Sequence, residues 1–91
     1  MTRFGYVRGS TVEQSMMQYS ALTGSGLDFD GGIAIDVPWG QFIQEVDRGD
    51  EVIVCSENRL SRDPVEGSAR KEMIDLIGAR LLTIEDALSN K

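Results

Sequence analysis

Apolar positions along the chain fall into short periodic blocks separated by turn residues, never into one long run. Residues 3–8, Arg3-Phe4-Gly5-Tyr6-Val7-Arg8, alternate and carry aromatic and branched side chains, which predicts a first strand ending on Arg8. Ser10 or Thr11 then offers a helix cap, with Glu13 or Gln14 as its partner. Helix formers continue through Met17 to Leu22, so a helix is expected over 11–22. Thr23-Gly24-Ser25-Gly26 stops it. A second strand is expected within 27–35. Leu27-Asp28-Phe29-Asp30 alternates, Ile33-Ala34-Ile35 is the more apolar piece, and Gly31-Gly32 divides them.

Pro38 suits the first turn of a second helix, on which Trp39, Phe42, Ile43 and Val46 share one face, and Arg48-Gly49-Asp50 ends it. Glu51-Val52-Ile53-Val54-Cys55 is a run of strand formers bounded by turn signals, as expected of a strand buried on both faces at the sheet centre. Asp63, Pro64 and Glu66 start a third helix. Its expected inward stripe is Val65, Ala69, Met73, Leu76 and Ile77, and Gly78 stops it before a last strand at Leu81-Leu82-Thr83-Ile84. The alternating order with short connections implies a single α/β domain over residues 1–91. It is a three-layer, open, mainly parallel sheet of about four strands with helices on both faces.

Length agrees with this picture, because 91 residues fill one core and not two. With no apolar stretch long enough for a membrane helix and no signal-peptide pattern, a cytoplasmic protein without a membrane partner is expected. The lone Cys55 lies in an apolar run and reads as a small buried hydrophobe. With no histidine and one cysteine, the soft ligands of ordinary zinc sites are missing and no metal is expected. The net charge of −6 opposes general attraction to nucleic acid, so any DNA contact has to be local.

Chemistry in open parallel sheets gathers beyond the carboxyl ends of the strands. The first strand delivers Arg8 and Ser10, with Gln14 one turn into the helix, so a hydroxyl sits between a cation and a helix N-terminus. The third strand delivers Ser56-Glu57-Asn58-Arg59-Leu60-Ser61-Arg62, whose two guanidinium forks suit one phosphate. Taken singly, Arg8 reads as a surface ion-pair partner, Ser10 as a helix cap, Arg59 and Arg62 as solvated loop charges, and Trp39, Phe42 and Ile43 as core. If the two strands are neighbours, Arg8, Arg59 and Arg62 converge on Ser10. That supplies a nucleophile and the positive charge a phosphoryl transition state requires.

Tyr6-Val7-Arg8-Gly9-Ser10 followed by Gln14, with Gln18 beyond, resembles the N-terminal motif of the serine site-specific recombinases, the resolvases and invertases. The block from Gly49-Asp50-Glu51-Val52-Ile53-Val54 to Asn58-Arg59-Leu60-Ser61-Arg62 resembles that family's second active-site segment, in the correct order. The resemblance implies a resolvase-like fold in which Ser10 attacks a DNA phosphodiester and forms a 5′-phosphoserine link. Arg8, Arg59 and Arg62 would stabilise charge, Gln14, Gln18 and Asn58 would contact the phosphate or DNA, and no metal or nucleotide cofactor would take part.

The sequence departs from that pattern in three places. Asn58 stands where the family carries an aspartate, and Ile35-Asp36-Val37-Pro38 offers an acid where an arginine is expected. The 91 residues also contain neither the family's long dimer helix nor its DNA-binding domain. The chain therefore reads as a divergent recombinase-like domain, a non-catalytic module linked to DNA recombination or its regulation, in contact with DNA, a recombinase or another copy of itself. Two alternatives stand beside it. One is an active strand-cleaving and rejoining recombinase that works with another chain. The other is an acidic inhibitor that binds a DNA-handling protein in competition with DNA.

Overall fold

In the computed structural model, which describes residues 1–56 and 63–89, alternation along the first strand divides the core in two. The elements in chain order are β1 (Arg3–Val7), α1 (Val12–Thr23), β2 (Ile33–Ile35), α2 (Trp39–Phe42) with a 3-10 turn over Ile43–Glu45, β3 (Glu51–Val54), α3 (Pro64–Ile77), β4 (Arg80–Thr83) and α4 (Ile84–Ser89). The strands form one open parallel sheet in the order β2-β1-β3-β4. Phe4 and Tyr6 of β1, with Val52 and Val54 of β3, face a cluster completed by Phe42, Val46 and Ile74, so α2 and α3 cover that face. Val7 and Ile53 face the opposite cluster with Leu22 of α1 and Ala87 of α4. This is the expected three-layer α/β architecture, and β3 is an interior strand buried at every position.

Local chemistry explains most boundaries. The Thr11 hydroxyl caps α1 by accepting from the Gln14 amide at 3.1 Å. The Asp63 carboxylate caps α3 ahead of Pro64, and Gly78 ends that helix at φ 89°, a left-handed conformation natural to glycine. At the amino ends of the strands, Arg3, Glu51 and Arg80 lie in one cross-strand row. The buried Glu51 carboxylate meets Arg3 Nε at 2.9 Å and the Arg80 guanidinium at 3.7 Å. Backbone amides of Asp47 and Thr2 donate to the neighbouring Asp50 carboxylate and hold its pKa below the usual aspartate value.

Three expectations need correction. The first strand ends at Val7, which leaves Arg8 in the loop. The second strand falls within the expected 27–35, at its more apolar piece Ile33–Ile35, and residues 27–30 lie in the connection. The last strand closes at Thr83, and Ile84 opens α4, an element the sequence reading did not assign. On α3 the expected inward stripe holds at Ile77, which packs against the core, and fails elsewhere: Val65 is 77% and Leu76 82% exposed, Ala69 and Met73 are exposed too, and the fully buried residue is Ile74. The apolar residues of this helix occupy two faces, and Ile74 lies nearly opposite Leu76 at about 100° per residue. No helix among the described residues is long and apolar enough to cross a membrane.

Candidate functional site

The chain passes from β1 to β2 on one side and then crosses to β3 on the other, so the β1/β3 boundary is the point where the winding reverses. Loops leaving neighbouring strands in opposite directions open a crevice at such a point. Pairing of Gly5 with Ile53 sets the carboxyl ends of β1 and β3 side by side. The segment carrying Arg8 and Ser10 and the segment opening at Cys55-Ser56 therefore emerge at one sheet edge. Asn58, Arg59 and Arg62 lie outside the described residues.

The described residues around Arg8 and Ser10 form a compact network at the start of α1. The exposed Ser10 hydroxyl donates to Gln14 Oε1 at 2.6 Å, and the same oxygen accepts from the Ser10 amide at 3.0 Å. One glutamine side chain thus fixes both polar groups of the serine. Arg8 is exposed, and no carboxylate among the described residues pairs with its guanidinium. Its backbone is held instead: Gln18 Oε1 accepts from the Arg8 amide at 3.2 Å, and Gln18 Nε2 donates to the Arg8 carbonyl at 2.7 Å. Gln18 is buried with both ends of its amide engaged, which makes it a brace for the strand end. The half-buried Cys55 thiol donates to the Gln18 carbonyl at 3.4 Å and ties the end of β3 to the same turn of helix.

Three participants escaped the sequence reading as parts of this network. The Asp36 carboxylate accepts from the Gly9 amide at 3.1 Å through Oδ1 and from the buried Ser15 hydroxyl at 2.7 Å through Oδ2. Its own amide donates to the Val7 carbonyl at 2.9 Å. Asp36 holds φ 54°, a left-handed conformation that aspartate tolerates better than most residues. Gly9 has no room for a side chain, because a Cβ there would lie 2.7 Å from both the amide and the hydroxyl of Ser15. The signals available were the glycine between Arg8 and Ser10 and the acid directly after an apolar strand.

Chemically, this arrangement presents a cation and an oriented hydroxyl at a helix start, with an internal carboxylate already bound to donors of the same loop. A comparison with protein-family models finds no match to the chain, and none of the curated proteins matches it either.

Proposed function

We propose that the chain is a divergent serine-recombinase-like domain that retains part of a phosphate site and acts in the cytoplasm as a non-catalytic module in DNA recombination or its regulation. The observation that carries the reading is the hydrogen bond from the Ser10 hydroxyl to the Gln14 amide oxygen. An amide oxygen orients a hydroxyl but is far too weak a base to take its proton, so among the described residues the serine is positioned without a base to activate it. Asp36 adds to this, since a carboxylate on the Gly9 amide and the Ser15 hydroxyl opposes a second anion beside the same loop. Partners in keeping with the reading are DNA at a local contact, a recombinase or a second copy of the chain.

The active-enzyme alternative draws on a different observation, the shared edge at which the β1 and β3 ends emerge with Ser10 exposed. Supercoiled DNA carrying candidate sites separates the two readings, incubated with the protein and with Ser10→Ala. The non-catalytic module leaves the plasmid supercoiled and yields no covalent protein–DNA species with either protein. A Ser10-dependent adduct or nick overturns it in favour of the enzyme. A stable monomer that retains neither DNA nor a recombinase in binding assays removes the module reading altogether.

A further inference from the structure

We propose that the open edge of β2 is a docking site for an extended, basic segment of a partner protein, added beside β2 as a further strand. The proposal does not depend on the phosphate site and stands on charge, backbone and side-chain observations at one edge of the molecule.

The charge of the chain is unevenly placed. Residues 9–47 contain Glu13, Asp28, Asp30, Asp36, Glu45 and Asp47 and no lysine or arginine, whereas the rest of the chain carries nine acidic and nine basic residues. The net charge of −6 therefore arises in this stretch, which contains α1, β2 and α2 and places Asp30 and Asp36 on either side of β2.

The backbone of β2 is half satisfied. Gly32 accepts through its carbonyl from the Gly5 amide at 3.0 Å, and Asp36 donates to Val7 at 2.9 Å, so residues 32, 34 and 36 turn their polar groups toward β1. By strand alternation the N–H and C=O groups of Ile33 and Ile35 point to the open side. Among the described residues none bonds to them, and β2 has no outer neighbour in the sheet. Ile33–Ile35 contains no lysine or proline and pairs with β1 without a bulge, so among the usual guards of an exposed edge only the shortness of the strand protects it.

The rotation of α1 supplies apolar contacts beside this edge. Ser15 reaches Asp36 at the end of β2, and Gln18 reaches Arg8 and, through its carbonyl, Cys55 at the end of β3. At about 100° per residue, Tyr19, Val12 and Met16 lie beyond Ser15 on the β2 side. Val12 is 80% and Met16 55% exposed, Tyr19 is partly exposed, and Ile35 is 42% exposed on the strand face that α1 covers. An added strand would pair its backbone with Ile33 and Ile35 and lay alternate side chains against Val12, Met16, Tyr19 and Ile35. Methionine adapts well to such contacts. Basic residues on the occupant match Asp30 and Asp36, which flank β2, whereas a second copy of this chain would bring the same acids to the same edge.

The test is an NMR titration of the isotope-labelled chain with a capped synthetic peptide of four Lys-Val repeats, with a peptide of four Glu-Val repeats as control. Saturable shifts at the Ile33 and Ile35 amides and at Val12, Met16 and Tyr19, weakened by salt and absent with the Glu-Val peptide, are expected. Ile35→Pro removes an outward N–H while sparing the bonds to β1, and Met16→Gln removes only an exposed apolar contact, so both leave the fold intact. Each is expected to weaken binding about tenfold. Equal binding of the Glu-Val peptide, shifts centred on the Ser10 loop, or full affinity in both variants overturns the proposal. So do concentration-dependent shifts at Ile33 and Ile35 without peptide, which assign the edge to a second copy.

Discussion

Phe42→Ala is expected to lower the stability of the fold by about 3–5 kcal/mol, the cost of a large cavity in a core that cannot collapse onto it. The Phe42 ring is 1% exposed and meets Phe4 edge-on at 5.9 Å, Tyr6 at 4.8 Å and Trp39 at 5.8 Å between centroids. These rings come from β1 and α2, so the loss falls on the cluster that, together with the Tyr6–Trp39 edge contact, fastens a one-turn helix to the sheet. Small domains are stable by about 5–15 kcal/mol, so the loss amounts to at least about a fifth of that stability and, at the lower end of the range, to nearly all of it. Urea unfolding followed by circular dichroism checks it: the midpoint falls steeply while the slope stays the same. A loss below about 1 kcal/mol would mean that α2 does not pack across this cluster. Tyr6→Phe is an internal control, because among the described residues the buried Tyr6 hydroxyl has no hydrogen-bond partner. Removing it is expected to be neutral or to stabilise by about 1 kcal/mol.

The same aromatic cluster shows where sequence reasoning reached and where it stopped. Trp39, Phe42, Ile43 and Val46 were legible as one face, and they do pack together, although the helix is a single turn followed by a 3-10 turn. A buried interior strand such as β3 is legible because both of its faces are apolar, and cap residues such as Thr11, Asp63 and Gly78 carry their conformation in their own chemistry. The two apolar stripes of α3 were not separable, since periodicity fixes spacing but not which stripe meets the sheet. The missed α4 had a readable signal: the Thr83 hydroxyl accepts from the Asp86 amide at 3.1 Å, and the Asp86 carboxylate accepts back from Thr83 at 3.4 Å, which is a capping box.

The candidate site divides in the same way. Ser10 with Gln14, and Arg8 with Gln18, are pairs four and ten residues apart that one helix brings together, so their association follows from local structure. Asp36 meets Gly9 and Ser15 only because β2 lies beside β1 in one register and Asp36 adopts a left-handed backbone. Both conditions are tertiary. This contact sets a carboxylate on the Gly9 amide and the Ser15 hydroxyl, a charge beside the loop that the sequence could not display.

Gln18→Leu is expected to destabilise the chain by about 2 kcal/mol, because it leaves the Arg8 amide and carbonyl without the two bonds that Gln18 now supplies at 3.2 and 2.7 Å. Volume is nearly conserved, so the loss measures hydrogen bonding more than packing. Hydrogen exchange is expected to accelerate at the Arg8 amide and at Ser10, next in the same loop, while the β3 amides stay protected. Gln18→Glu gives a sharper signature. At neutral pH the introduced carboxylate still accepts from the Arg8 amide but turns a second charged oxygen toward the Arg8 carbonyl, where an N–H donor stood. Repulsion and burial raise its pKa in the folded state above the unfolded value of about 4.3. Protonation restores a donor, so the stability lost at neutral pH returns as the pH falls through the raised folded pKa and is fully regained below the unfolded one. A Gln18→Glu variant as stable as the parent at neutral pH, with no recovery on acidification, would show that the side-chain amide does not brace Arg8. The remaining link from α1 to the strand ends would then be the Cys55 thiol on the Gln18 carbonyl and the Asp36 bridge from Gly9 to Ser15.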